Sequence, residues 1–92
     1  MLYMVIEHFR PGAAPEIYSR FREKGRMMPG GLGYVSSWIS EDLTTCWQIM
    51  QTDNPGLFKQ WTKNWDDLME FEIVPVRTSA ELQAMRDSPE EI

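Results

Sequence analysis

The hydrophobic period of this chain alternates between that of a strand and that of a helix in the order β-α-β-β-α-β, and few topologies satisfy that order. Residues 2–9 are apolar, β-branched or aromatic and read as a strand, which Arg10-Pro11-Gly12 ends. Ala14, Ile17, Tyr18, Phe21, Gly25 and Met28 then recur at helical spacing and predict an amphipathic helix over residues 14–27. Pro15 suits its first turn, and Arg20/Lys24 and Arg22/Arg26 share its outer side. Pro29-Gly30-Gly31-Leu32-Gly33 reads as a loop. Its glycines follow a helix rather than a strand, and no Gly-Lys-Ser/Thr comes after them, so a phosphate cradle is not indicated.

Residues 34–40 and 44–52 read as two strands joined by the turn Glu41-Asp42-Leu43. Asn54 as N-cap and Pro55 at the first helical position predict a helix over residues 55–68, with Phe58, Trp61, Trp65 and Leu68 on one face. Residues 70–78 read as a fourth strand. Pro75 within it cannot donate to a ladder, which assigns this strand to a sheet edge. Thr78-Ser79 cap a short helix over residues 79–86, and residues 87–92 read as a flexible C-terminal tail. Residues 1–86 then make a single domain.

Right-handed crossovers turn this order into an α+β, ferredoxin-like βαββαβ fold: a four-stranded antiparallel sheet in the order 4-1-3-2, with both helices on one face. That order independently places strand four at an edge. Both faces of the sheet are apolar. Tyr3, Val5 and Phe9 oppose Leu2, Met4 and Ile6; Trp47 and Ile49 oppose Cys46 and Met50; Phe71 and Ile73 oppose Val74 and Val76. Helices cover only one face, and an uncovered apolar face marks an interface. A homodimer through the helix-free sheet face is expected.

Composition narrows the function classes. Hydrophobic residues at 42% and charged residues at 25% describe a folded domain. No apolar run approaches the ~20 residues that cross a bilayer, and Glu7 interrupts the opening strand, so neither a membrane span nor a signal peptide is read. A single cysteine, Cys46, excludes an intrachain disulfide, and a cytoplasmic location is expected. The net charge of −5 argues against nucleic acid and anionic membranes as partners. Residues 10–26 nevertheless hold five basic and two acidic side chains, whereas residues 66–92 hold eight acidic and two basic. These are two solvated faces, or else a basic helix suited to an anionic ligand or an acidic neighbouring subunit. Asp66-Asp67 and Glu70 read as a solvated helix end.

Met4-Val5-Ile6-Glu7-His8-Phe9, Arg20-Phe21-Arg22-Glu23-Lys24-Gly25-Arg26, Tyr34-Val35-Ser36-Ser37-Trp38 and Phe71-Glu72-Ile73-Val74-Pro75-Val76 carry a resemblance over residues 1–80. The chain resembles the dimeric α+β barrel superfamily, which includes cofactor-free antibiotic-biosynthesis monooxygenases, haem-degrading monooxygenases and muconolactone-isomerase-like proteins. Within it, the quoted segments are similar to a family of short bacterial proteins of unknown function. The resemblance implies the fold and the dimer, and no catalytic residues. In haem-degrading relatives the first-strand site is an asparagine, a tryptophan follows on the second helix, and a later histidine ligates iron. Glu7 stands at the first site here and Trp65 corresponds to the tryptophan. Val76 and Arg77 stand where the ligand would be, and no histidine follows His8, so haem is not expected.

Three groups of residues could carry chemistry. Glu7 shares parity with Val5 and points to the helix side, where a carboxylate needs a partner or a proton. Tyr18 lies on the inner face of the first helix, Arg22 one turn on, and Trp65 supplies an apolar wall. In this reading a pocket lies between sheet and helices with Glu7 as base or orienting carboxylate, Arg22 as anion stabiliser and Trp38 or Trp65 as wall, or else Glu7 and Arg22 form an ion pair at the rim of the core. The second group is His8, Cys46, Gln48 and Glu72, read as sharing the dimer-facing side and lining either a ligand cavity or a hydrogen-bonded interface. One histidine and one cysteine fall short of the three or four ligands a metal needs, so no metal is expected. The third is the tryptophan set, mostly core. Trp38 is the exception, because Ser36, Ser37 and Ser40 leave room for a flat ligand beside its indole.

Three functions fit these readings. One is a cofactor-free monooxygenase or isomerase acting on a small aromatic or polyketide-like compound. Another is a non-catalytic module binding a small hydrophobic or aromatic molecule. The third is a structural homodimer acting through a protein partner.

Overall fold

A computed structural model describes residues 1–86, and the expected tail over residues 87–92 lies outside the described residues. Strands β1 (Leu2–Phe9), β2 (Gly33–Ile39), β3 (Thr45–Gln51) and β4 (Met69–Val76) form one antiparallel sheet in the order β2-β3-β1-β4. Helices α1 (Ala14–Lys24) and α2 (Leu57–Thr62) supply the crossovers, and α3 (Ser79–Met85) follows β4. This is the ferredoxin-like arrangement, with Pro75 on an edge strand as its missing N–H requires.

The core lies between the helices and one sheet face. Tyr3 and Val5 of β1 and Met50 of β3 meet Ile17 of α1 and Phe58 and Trp61 of α2. Aromatic edges knit it together: Tyr3 lies 5.1 Å from Phe58, and Trp61 lies 5.4 Å from Phe71, both T-shaped.

Both main helices are shorter than their periodicity predicts. α1 stops at Lys24 because Gly25 takes φ 66° and its N–H caps the Phe21 carbonyl. Met27 is left-handed as well, at φ 57°, so Arg26 belongs to a loop rather than to the helix's outer side. α2 keeps one full helical stretch and then winds through turns over residues 63–68, mostly by bonds to the third residue back. Its start also differs. The N-cap position is Gly56, while the Asn54 side chain accepts from the Gly56 N–H at 3.1 Å. Asn64, Asp66 and Asp67 are weak helix formers, and two of them bond elsewhere: Asn64 Nδ2 donates to the Met27 carbonyl and Asp67 accepts from Arg20. α3 is capped as expected, with Thr78 Oγ1 accepting from the Glu81 N–H at 3.0 Å.

One irregularity decides which face a side chain serves. β2 pairs Tyr34 with Met50 and then Ser36 with Ile49, leaving Val35 as the extra residue of a bulge. Every side chain after it changes face. Ser37 and Ile39 therefore join the helix side, and Trp38 comes to lie opposite Trp47 on the helix-free side.

Candidate functional site

β1 parity aims Glu7 at the helices, where it is only 8% exposed. Its neighbours follow from register. Cys46 is its direct partner on β3, and Gln48, opposite Val5, stands diagonally across the same face. Gln48 Nε2 donates to Glu7 Oε2 at 2.7 Å, and the Cys46 thiol donates to the same carboxylate. Burial dominates the electrostatics. It pushes the Glu7 carboxyl from 4.5 up to about 7, against those two hydrogen bonds and the positive charge of Arg26. The same burial, with the Glu7 charge adding to it, pushes the Cys46 thiol up to about 12 and keeps it neutral. The Tyr18 phenol is raised too, by burial first and then by Cys46 and Glu7.

Glu7 sits on the wall of an open cleft of about 280 Å³ between α1 and the sheet. This is just below the ~300–1,000 Å³ common for ligand pockets. α1 contributes Ile17, Tyr18 and Phe21, the last two exposed. Trp61, Trp65 and Phe9 form apolar walls, and Ser37 and Ile39 bring β2 to the rim.

Arg26 supplies the positive charge of the cleft. Its carbonyl accepts the indole N–H of Trp61 at 2.9 Å and that of Trp65 at 3.1 Å. Its guanidinium carbon lies 3.7 Å from the centre of the Tyr34 ring and 5.0 Å from that of Phe21. Among the described residues no carboxylate comes within ion-pair distance of it.

The structure groups the expected residues differently from their sequence reading. Tyr18 and Trp65 do join Glu7 at the cleft. Arg22 does not: it is exposed on the outside of α1, and Arg26 takes the place beside the cleft. Gln48 and Cys46 do not share a face with His8 and Glu72. The Glu7–Cys46 register brings them to the helix side, while His8 Nε2 meets Glu72 Oε1 at 2.8 Å on the other. Trp38 lines the cleft along the β2 edge, while the register shifted by the bulge pairs it with Trp47, and it is 58% exposed. Sequence reasoning missed Arg26 and Phe21. Treating Gly25 as a helix stop rather than a face position would have released Arg26 from the helix.

Among the described residues no three His, Cys, Asp or Glu side chains converge as a metal site, and no helix is long and apolar enough to cross a membrane. The sequence pattern of one family, described as Domain of unknown function (DUF3303), matches residues 1–88. No curated protein and no solved structure matches the chain.

Proposed function

This chain belongs to the DUF3303 family, and we propose that it binds a small molecule in the α1–sheet cleft and moves a proton on it. The observation that carries this reading is Glu7: a nearly buried carboxylate with a pKa of about 7, oriented by Gln48 and Cys46, in an aromatic cleft open to solvent. A base is most effective when its pKa lies near the working pH. The Glu7 carboxylate takes a proton from a C–H beside a carbonyl, and the C–H electron pair moves into that carbonyl to give an enolate. The field of Arg26 stabilises the negative charge. Returning the proton to a different carbon completes an isomerisation with no co-reactant. The same deprotonation begins a cofactor-free oxygenation, in which molecular oxygen is the oxidant.

Hydrogen–deuterium exchange tests the reading. In D₂O at pH 7.5, the wild type should speed α-proton exchange in 1-phenyl-1,3-butanedione above the buffer rate, and Glu7→Gln should remove on the order of 10²-fold of that gain. Exchange unaffected by the substitution would end the role of Glu7 as base. Binding without exchange would leave a non-catalytic binding module.

We also propose that two copies pair through the helix-free sheet face, as in the dimeric α+β barrels the sequence resembles. Trp38, Trp47 and Val74 stand there 58%, 37% and 44% exposed, around the half-buried Leu2, Met4 and Ile6 of the central strand β1. Apolar area of this kind favours association.

A further inference from the structure

The charges on the cleft lining are one carboxylate, Glu7, and one guanidinium, Arg26. They are not equivalent. Glu7 has both neighbouring donors, Gln48 and Cys46, spent on it. Arg26 has no acceptor: among the described residues neither a side chain nor a carbonyl takes a hydrogen bond from its guanidinium. The cation is nevertheless held in place. Its carbonyl is tied to Trp61 and Trp65, and the rings of Tyr34 and Phe21 stack against the guanidinium. Ring stacking occupies the face of that planar group and leaves the N–H donors along its edge, where they match the two oxygens of a carboxylate. Arg20 shows the contrast. It places the same fork on Asp67, with both N–O distances 2.8 Å.

Aromatic rings make up half of the remaining lining. Phe9, Phe21, Tyr18 and Trp65 leave room for a plate more readily than for a branched body, and about 280 Å³ admits only a small one.

We infer that the ligand is a small planar acid, its carboxylate paired with the edge of Arg26 and its flat body between the α1 aromatics and Trp65. This deepens the proposed function and rests on the cleft being the binding site. A consequence concerns pH. Glu7 is faced by Cys46 from β3, Tyr18 from α1 and Arg26 from the loop after α1. The thiol and the phenol are held neutral, so Glu7 alone changes the charge of the lining near neutrality. Protonated, it leaves the lining net positive; ionised, it repels an acid.

The test uses benzoate, cyclohexanecarboxylate and benzyl alcohol as probes, titrated into the full chain while the indole N–H signals of Trp61 and Trp65 are followed by NMR. Benzoate should bind at least tenfold more tightly than either of the others at pH 6. The preference over benzyl alcohol should vanish in Arg26→Gln and be only partly kept in Arg26→Lys, which retains charge but not the fork. Benzoate affinity should fall from pH 6 to pH 8 in the wild type and stay level in Glu7→Gln. Equal binding of benzoate and benzyl alcohol by the wild type would overturn the acid class yet leave the cleft reading standing. Equal binding of benzoate and cyclohexanecarboxylate would overturn planarity. No response of either indole to any probe at millimolar concentration would overturn both readings. Should Arg26→Gln fail to fold, the wild-type probe ratios decide by themselves.

Discussion

Gln48 donates its side-chain amide to Glu7 across 2.7 Å from a diagonal position on the neighbouring strand, so two residues distant in sequence form one polar unit on an otherwise apolar face. Burying that unit costs stability whenever Glu7 is ionised. The folded carboxyl titrates at about 7 and the ordinary group at 4.5, so between those values the folded chain holds the extra proton. Stability is therefore greatest below pH 4.5 as far as this group is concerned, and falls as pH rises toward 7.

Urea unfolding at pH 5 and pH 8 checks the sign. The wild type should lose on the order of 3 kcal/mol between the low-pH and high-pH limits of this titration. Glu7→Gln should flatten the profile and be the more stable protein at pH 8. A wild type equally stable at both pH values would contradict the burial of Glu7.

Cys46 should be a slow nucleophile. With its thiol pushed up to about 12, little thiolate exists at pH 8, and iodoacetamide should react far more slowly than with a free cysteine. Glu7→Gln removes a charge that holds the proton on, so alkylation should accelerate. Mass spectrometry of timed samples reads both rates.

Trp61 and Trp65 should be energetically coupled. Each indole alone can satisfy the part-buried Arg26 carbonyl, so Trp61→Phe or Trp65→Phe leaves one donor. The double substitution leaves none. It should cost about 1 kcal/mol more than the sum of the single changes, measured by denaturant midpoints in a double-mutant cycle. Strict additivity would mean the two N–H groups do not share that oxygen in solution.

Trp47→Glu places a charge in the centre of the helix-free face. Sedimentation velocity should show the wild type as a dimer and the variant as a monomer. Trp38→Ala should weaken the dimer in the same assay, because register places that residue opposite Trp47 on the same face. A wild-type monomer at high micromolar concentration would remove the proposed interface.

The sheet order and the edge position of Pro75 were legible because crossover handedness and the missing proline donor act locally. Glu7, Tyr18 and Trp65 were placed at one site by parity and helical spacing alone. The misplacements share a physical cause. Parity says that Cys46 and Gln48 lie together, but only the cross-strand register says which side they face. The pairing of Trp38 with Trp47 was hidden because a single inserted residue, Val35, reverses parity without leaving a sequence signal. Arg26 was hidden because a periodic pattern runs on past the residue at which the backbone changes hand, here Gly25.

The carbonyl of Arg26 also bears on how this chain can evolve. Phenylalanine would fill much of the space at positions 61 and 65, but it carries no N–H. Acceptable replacements at these two sites are therefore fewer than their burial suggests, and loss of one indole makes retention of the other more important. Ile17 and Phe58, bound to nothing polar, remain free to exchange with other hydrophobes. The lineage can therefore vary the greasy interior around the cleft more readily than the pair of rings that holds its cation.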